Sequence, residues 1–371
     1  MKARRRRLLG LVALFLAIVM IVPGVSYVQA LTAPGSATFT MRTVDWIRGH
    51  GGNPVINAIE NWYYTRKKPA AGPPDSATLP TAAAPSRNAV KDTQGPAALP
   101  LLPGVTRLPG ESTWHAGRLA RNGKPLIYTG YLRPDAAHQS VVAGVAWMRA
   151  GSSVAHLVAG TTQPGGTWPG SSSVPFSELP NLVATFNSGF KMADISGGFY
   201  LDGNYARPLM DGQASIVIDK QGGITVGSWG RDVKMTANVA AVRQNLALIV
   251  ENGQPVNGLS VNALGRWGSP RNQLQYTWRS GLGVDAHGNL IYVAGNHMNL
   301  TALATAMADA GVVRGMQLDI HTGMASFSSW KPVGGTSTPT KLLPEMTRAA
   351  DRYLVPDQRD FLYLTAAGAA S

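Results

Sequence analysis

Tight-turn signatures between short apolar runs are the feature that most constrains how this chain folds. The clearest is Asn252–Gly253 within LALIVENGQPV, a dipeptide typical of two-residue β-hairpin turns. Comparable patterns predict further hairpins over residues 214–229 and 281–295. The 42 Gly and 25 Pro residues agree with many turns, so the sequence favours a β-rich fold over a helical bundle.

One strong helical pattern interrupts the strands. Leu300, Leu303 and Met307 recur at helical spacing, Asn299 is suited to cap the first turn, and Gly311 is suited to end the helix. Helices of this kind are few. We therefore predict an α+β class, a mixed or antiparallel sheet-rich domain with a few helices.

The N-terminal region carries a targeting signal. Five basic residues in MKARRRR precede an apolar run from Leu8 to Val28, about 20 residues long and close to a bilayer span. The basic cluster would stay cytoplasmic, which places the rest outside the membrane. The residues VQA at 28–30 also fit a cleavage site. A single-pass membrane anchor and a secreted, cleaved protein both stay open, and the length of the run favours the anchor.

Four segments follow from composition. Residues 1–30 form the basic stub and the signal or transmembrane helix, and residues 31–66 form a juxtamembrane segment. A short amphipathic helix is predicted at 53–64, lying either on the membrane surface or on the folded domain. Residues 67–104 are rich in Pro and Ala and predict a linker. The folded domain is expected over 105–371, with its core at 141–330.

Charge and residue usage limit which binding partners, cofactors and site types the chain can have. The chain has no cysteine, which excludes disulfides, thiolate zinc sites and a cysteine nucleophile. The net charge of +13 predicts attraction to an anionic partner such as a phosphorylated cell-envelope glycan, besides membrane contact through the N-terminal helix. Scattered Lys and Arg residues disfavour nucleic acid. No metal-ligand spacing appears, so we expect no cofactor and no metal, with a divalent cation left open.

A glycine-containing loop follows the apolar strand LVATF. Asn187, Gly189 and Gly198 would bring backbone N–H groups close to a ligand, and Lys191 would offer positive charge to a phosphate. The alternative is an ordinary glycine-rich turn.

Three adjacent polar residues, Arg243, Gln244 and Asn245, come directly before another apolar strand. They supply several hydrogen-bond donors, and an arginine can grip an oxyanion with two bonds. We predict that they bind substrate. The alternative is a solvated start of a strand.

Trp278, Arg279 and Ser280 open a third candidate stretch. The Trp278 ring would suit stacking against a sugar, and Arg279 and Ser280 would bind polar groups of the same ligand. The alternative is a core tryptophan beside a surface arginine.

A fourth stretch, GMQLDIHTGMASF, is a short apolar strand that ends on Asp319 and, two residues later, on His321. Asp319 could stabilise positive charge or act as a base, and His321 could carry a proton. The alternative is that His321 is structural.

The order of these stretches resembles that of the phosphodiester glycosidase family, which includes the lysosomal uncovering enzyme. Family-like motifs are an Asn–Gly–Gly–Phe-type loop, a Gly–Gly return, an Arg-led strand entry and a Leu–Asp strand end. The matching residues here are Asn187–Phe190, Gly197–Gly198, Arg279–Gly283 and Leu318–Asp319. The chain is also similar to an actinobacterial, membrane-anchored branch through RQNL at 243–246 and WGRDV at 229–233.

The resemblance implies a hydrolase of a sugar-1-phosphodiester, or a related glycosidic bond, in cell-envelope glycans. Asp319, His321 and Arg279 would then be catalytic. One departure stands out, because the family's three glycines and serine are replaced by Ile320–His321–Thr322–Gly323. Residues with a Cβ follow a glycine path at a cost, so we expect the phosphate cradle to be lost or rebuilt. The alternative function is a non-catalytic glycan-binding protein on the same fold.

Overall fold

The structure, a computed structural model, describes residues 21–33, 35, 37–80, 92–269 and 273–368. The chain divides into two compact units, an N-terminal unit Met1–Glu60 and a main unit Asn61–Ser371. The predicted linker was 67–104 and the predicted domain start was 105, whereas the compact main unit already begins at Asn61.

The described part of the N-terminal unit is mainly helical, with a kinked π-helical segment at Arg48–Gly52. Residues 21–32 are helical, and helix α1 (Phe39–Ile47) begins at a Thr38 cap, whose hydroxyl accepts from the Met41 N–H. Helix α2 (Asn53–Arg66) confirms the helix predicted at 53–64. None of the helices described is both long and apolar enough to cross a bilayer. Most of the predicted span, Leu8–Val28, falls outside the described residues, so the anchor stays a prediction.

Within the described residues, the main unit is built from short strands and one further α-helix, α3 (Leu300–Asp309). Short 3-10 helices lie at Ser76–Thr78, Phe176–Asn181, Met192–Asp194 and Arg352–Leu354. In chain order the described strands are β1 His115–Ala116, β2 Ile127–Leu132, β3 Ala143–Met148, β4 Ser153–Val158, β5 Leu182–Asn187, β6 Phe199–Leu201, β7 Asn204–Arg207, β8 Ala214–Asp219, β9 Ile224–Ser228, β10 Val239–Gln244, β11 Leu248–Glu251, β12 Gln254–Pro255, β13 Thr277–Val284, β14 Leu290–Met298, β15 Arg314–Ile320, β16 Phe327–Val333, β17 Thr336–Lys341 and β18 Phe361–Ala366.

The strands that the structure describes form three sheets. The first has the order β1-β2-β3-β14-β13-β15-β11-β12, the second β7-β6-β10-β8-β9, and the third β17-β16-β5-β18-β4. Every ladder between these described strands is antiparallel. The predicted sheet-rich α+β class with few helices is therefore confirmed.

The predicted hairpins are present as β8–β9, β11–β12 and β13–β14. Asn252 and Gly253 both have positive φ, +51° and +76°, as the turn between β11 and β12 requires. Asn299 caps α3 by accepting a hydrogen bond from the Ala302 N–H at 2.8 Å. Local turn and cap chemistry was thus sufficient to locate these elements.

The core has two main parts on the two faces of the first sheet. Helix α3 covers one face, where Leu303 and Met307 belong to the same buried cluster as Val293 of β14. On the other face, Leu282 of β13 shares a cluster with Phe186 of the third sheet and with residues of the second. Burying a side chain of this size contributes about 1.5–3 kcal/mol. The first sheet is therefore packed against α3 on one face and against the second and third sheets on the other. The candidate site lies at the seam between the first and third sheets.

The described part of the predicted linker contacts the main unit. Leu99 is 5% exposed and belongs to the cluster beneath α3. Asp92 forms an ion pair with Arg149 and accepts a hydrogen bond from the Tyr128 hydroxyl at 2.7 Å. Composition predicted a linker because Pro and Ala dominate this stretch, and in its described part isolated apolar and acidic side chains contact the main unit.

Candidate active site

Three strands come together at the seam between the first and third sheets. Asn187 ends β5, and its Nδ2 donates to Ser280 Oγ of β13 and to the Ser188 carbonyl, both at 3.0 Å. Ser280 Oγ donates to the Asp319 carbonyl of β15 at 2.8 Å, and the Asp319 N–H donates to the Ser188 carbonyl at 3.1 Å. Asn187, Ser280 and Asp319, all singled out from sequence, are therefore neighbours.

Asn187 joins the two sheets through both ends of its amide. Its Oδ1 accepts hydrogen bonds from the Tyr292 hydroxyl at 2.8 Å and from the Ser326 N–H at 3.0 Å. The side chain is 4% exposed, so its described bonds are all internal. The structure gives Asn187 a positioning place beside Asp319, in contrast to the substrate contact predicted from sequence.

The Asp319 carboxylate lies in a buried, positively charged setting. Its Oδ2 accepts from Arg359 Nη2 at 2.5 Å, and its Oδ1 accepts from the Ile320 N–H at 2.9 Å. Burial raises the pKa of Asp319, and the charges of Arg359 and Lys191 offset only part of that rise. Arg359 Nη2 also donates to the Gly189 carbonyl at 3.2 Å, which ties the loop after β5 to the same pair.

Behind this pair lies a second ionic group that sequence reasoning missed. Asp357 accepts from Arg352 Nε at 2.7 Å and from Arg348 Nη2 at 3.2 Å, and its Oδ1 accepts from the Arg359 N–H at 2.9 Å. Burial opposes ionisation of Asp357, but the two guanidinium groups outweigh it and hold the pKa of Asp357 below its ordinary value. Asp357 thus fixes the backbone of the residue that pairs with Asp319.

The positive charge of this group exceeds its negative charge. Arg348, Arg352 and Arg359 are 2–9% exposed, and they face the two carboxylates of Asp319 and Asp357. We refer to these five residues as the arginine cluster. Its sequence signal is the alternation of Arg and Asp in MTRAADRYLVPDQRD, a stretch without the apolar periodicity that marks a strand or a helix. Such a group is suited to an anionic ligand.

The Arg243, Gln244 and Asn245 side chains hold the loops around the site together. Arg243 Nε donates to Asp360 Oδ2 at 2.7 Å, and Asn245 Nδ2 donates to the Gln317 carbonyl at 2.6 Å. Gln244 Oε1 accepts from two backbone N–H groups at 2.8 Å. All three are at most 1% exposed, so a substrate would reach them only by displacing protein. The sequence predicted substrate contacts for them, with a solvated strand start as the alternative, because their distant partners are not visible locally.

The predicted loop residues lie where backbones approach closely. A Cβ on Gly189 would be 3.2 Å from Arg243 Cζ, and one on Gly198 would be 2.2 Å from the Pro208 carbonyl oxygen. The Gly198 N–H donates to Gln244 Oε1, so it is engaged within the protein. Lys191 lies close enough to Asp319 to lower its pKa. Close packing therefore explains the glycines.

Trp278 and Arg279 are both buried within the protein. Trp278 is 3% exposed and part of the main core, so its ring is not offered for stacking. Arg279 is fully buried, and its Nε donates to the Met298 carbonyl at 2.9 Å. Its Nη2 also donates to the Gln275 carbonyl at 3.3 Å, so these contacts hold the Arg279 side chain within the protein.

His321 adopts the conformation that a glycine would. Its φ is +77°, in the left-handed region, and Gly323 follows at +79°. The His321 ring stacks on Tyr64 with centroids 5.4 Å apart, and its Nδ1 lies 3.2 Å from Thr277 Oγ1. The conformational cost expected for a residue with a Cβ in this loop therefore falls on His321. Ile320 remains in the extended strand β15.

Within the ranges described above, no group of three or more His, Asp or Glu residues is arranged to hold a metal ion. No protein-family model and no curated protein matches the sequence.

Some solved structures are similar at low identity. The catalytic domain of zebrafish N-acetylglucosamine-1-phosphodiester alpha-N-acetylglucosaminidase, auto-inhibited by its pro-peptide, is 16% identical with a TM-score of 0.43, covering 68% of this chain and 87% of that one. A hypothetical protein from Synechocystis is 13% identical with a TM-score of 0.41, covering 66% and 63%. A putative exported protein from Burkholderia pseudomallei is 12% identical with a TM-score of 0.34, covering 61% and 74%. Likeness at this level is distant, and function has to be argued from the residues of this chain.

Proposed function

We propose that this chain is a hydrolase that cleaves a sugar-1-phosphodiester, or a related glycosidic bond, in an anionic cell-envelope glycan. The observation that carries the proposal is the Asp319 carboxylate, buried at a sheet seam and paired with Arg359 in a cluster with excess positive charge. A phosphate needs cations, and a sugar that loses its leaving group needs a carboxylate. The motif resemblance described above favours the same reaction.

The chemistry requires few groups. The bond between the anomeric carbon and the phosphate oxygen breaks, and its electron pair leaves with the phosphate. Water supplies a hydroxyl to the sugar, and its other proton passes to a base and then to solvent. A phosphate leaves readily without a strong acid, so cationic contacts replace the usual acid. The Asp319 carboxylate would stabilise the sugar cation or take the proton from water.

The proposed roles follow the contacts. We assign the phosphate contact to Arg359 and Lys191, because Arg359 meets Asp319 directly and Lys191 acts on it electrostatically. Arg243 is bound to Asp360, so it is better suited to holding the loop. His321 remains our candidate proton carrier, and Arg279 our candidate for fixing the strand end. The chain would act outside the membrane, either anchored by residues 1–30 or secreted.

The test uses the purified full chain and sugar-1-phosphate esters of a fluorescent alcohol, with both anomers and several sugars. We expect release of the reducing sugar together with the phosphomonoester. Asp319→Asn should lower kcat about a thousandfold. The matched control is Asp202→Asn, the same change at an exposed turn residue with φ +45°, where asparagine is tolerated. The control should keep full activity.

Two results would overturn the proposal. One is cleavage that Asp319→Asn leaves intact, which would remove the carboxylate from the mechanism. The other is envelope-glycan binding without cleavage of any ester by wild type. That second result would establish the alternative, a glycan-binding protein on the same fold.

A further inference from the structure

The end of helix α2 carries an exposed patch of aromatic and basic side chains. Two rings and three cations define it, and we call it the basic–aromatic patch: Trp62, Tyr63, Arg66, Lys67 and Lys68. Trp62 is 61% exposed and Tyr63 is 45% exposed, although rings of this size are mostly buried in folded proteins. The stretch 61–68 contains no acidic residue. A large apolar surface and concentrated positive charge therefore occur together.

The opposite side of the same helical turn is attached to the main unit. Asn61 Oδ1 accepts a hydrogen bond from Gln275 Nε2 at 2.5 Å, and the Tyr64 carbonyl accepts from the Tyr276 N–H at 3.2 Å. The Tyr64 ring stacks on His321. Residues three and four apart share a helix face, so Asn61 and Tyr64 form the docked face, and the three patch residues within the helix, Trp62, Tyr63 and Arg66, form the outward one. Lys67 and Lys68 directly follow the end of the helix and are exposed. Docking holds the patch in a fixed orientation.

Within the patch, each ring is paired with a cation. The Arg66 guanidinium carbon lies 5.1 Å from the centre of the Trp62 ring, and Lys67 Nζ lies 5.2 Å from that of Tyr63. Lys67 Nζ also donates to the Tyr63 hydroxyl at 3.0 Å. The rings and the charges thus form one continuous surface.

This combination matches the headgroup region of an anionic bilayer. Tryptophan and tyrosine favour that region because each has an apolar body and a polar tip. Lysine and arginine beside them are attracted to anionic lipid, by about 1 kcal/mol for each residue near the surface. A folded partner protein would more often bury such rings within a ring of mixed charges, whereas this patch is purely cationic.

We propose that the basic–aromatic patch binds anionic lipid headgroups on the extracytoplasmic face of the membrane. This would be a second membrane contact, distinct from the N-terminal apolar run. It inserts Trp62 and Tyr63 at the level of the headgroups and holds the domain against the lipid. The contact does not depend on the proposed hydrolase activity. It would bring the end of β15 near the membrane, because Tyr64 links the patch to His321.

The absence of cysteine allows a clean experiment. Ala70→Cys introduces a unique label two residues beyond the patch, on an exposed residue, and leaves all five patch residues in place. Phe176→Cys, at a residue that is 89% exposed, is the matched reporter elsewhere on the domain. Each full chain is labelled with a polarity-sensitive dye and placed in nanodiscs, one chain per disc, of phosphatidylglycerol mixed with phosphatidylcholine or of phosphatidylcholine alone. Quenching by spin-labelled lipid reports contact.

We expect strong quenching at position 70 in the anionic discs only, and none at position 176. Changing Arg66, Lys67 and Lys68 to Gln together should remove most of the quenching, as should raising salt from about 50 to about 500 mM. Equal quenching in both lipids, or quenching that survives the triple change, would overturn an anionic-lipid contact. A dye shift that appears in lipid-free detergent and grows with protein concentration would also overturn it, because a second copy would then cover the patch.

Discussion

Asp319 and His321 lie two residues apart at the end of β15, yet their surroundings have little in common. Asp319 lies on the ionic side, bound to Arg359 and supported by the arginine cluster. His321 lies on the aromatic side, stacked on Tyr64 with a left-handed backbone. The contrast teaches that two nearby positions at one strand end can be held by different interactions. Ionic contacts hold Asp319, whereas ring stacking and a left-handed backbone hold His321. We expect chemistry and electrostatic sensitivity on the ionic side, and conformational sensitivity on the aromatic side.

The largest effect on stability should come from removing a carboxylate of the arginine cluster on the ionic side. Asp357→Asn leaves Arg348 and Arg352 buried without their carboxylate, so we expect a loss of about 3–5 kcal/mol in the free energy of unfolding. Urea unfolding at neutral pH measures it. Asp202→Asn, the exposed control, should stay within about 0.5 kcal/mol of wild type. A loss below about 1 kcal/mol for Asp357→Asn would mean that the cluster does not stabilise this end of the fold.

Arg359→Gln tests the electrostatic part of the same side. The guanidinium opposes the rise in the pKa of Asp319 that burial causes, so its removal should raise that pKa further. The acid limb of kcat/KM should then move to higher pH by about one unit, equivalent to about 1.4 kcal/mol. Arg231→Gln, at an exposed ion pair, should leave the profile unchanged. A fall in kcat without a moved acid limb would contradict this assignment.

The pH dependence of stability should distinguish the two carboxylates. The pKa of Asp319 is raised, so its ionised form costs stability, and stability falls as pH rises through that raised pKa. The pKa of Asp357 is lowered, so its contribution is present above the ordinary range and is lost as pH falls through the lowered pKa. Asp319→Asn should abolish the first trend and keep the second in urea titrations from about pH 3 to about pH 7. Retention of both trends would contradict the assignment.

The smallest effects on stability should come from substitutions of His321 on the aromatic side, because they act through its backbone conformation. His321→Asn keeps a residue type that tolerates positive φ, and should change unfolding free energy by about 0.5 kcal/mol or less. His321→Val should cost about 1–2 kcal/mol, since a β-branched residue fits that region poorly. Thermal unfolding of both variants measures the difference. If His321→Asn keeps full turnover as well, His321 is not the proton carrier.

Hairpins and the α3 helix could be predicted because their signals are local. Asn252–Gly253 demands a tight turn wherever it occurs, and Asn299 caps whichever helix follows it. The start of the main unit could not be predicted this way. Leu99 and Asp92 attach a Pro-rich stretch through isolated side chains, which leave no pattern in the composition.

The candidate site shows the same difference between residues with a local sequence signal and residues whose partners are distant in the chain. Asn187, Ser280 and Asp319 were found because polar residues at strand ends are a local signal, and the sheets bring those ends together. Arg243 was assigned to a ligand because its partner, Asp360, lies 117 residues further along the chain. Arg359 was missed for the same reason, since its partner Asp319 is 40 residues away. Partner choice in a buried ion pair is a property of the folded chain.

Strand β18 inserts between β5 and β4 in the third sheet, and Arg359 and Asp360 immediately precede it. β18 is the last strand that the structure describes, so a ribosome completes β5, β13 and β15 well before the arginine that pairs with Asp319. Until β18 pairs with β5, the seam lacks its guanidinium and the third sheet is split. The order of synthesis therefore delays assembly of this seam until Arg359 and β18 have left the ribosome and β18 has docked beside β5.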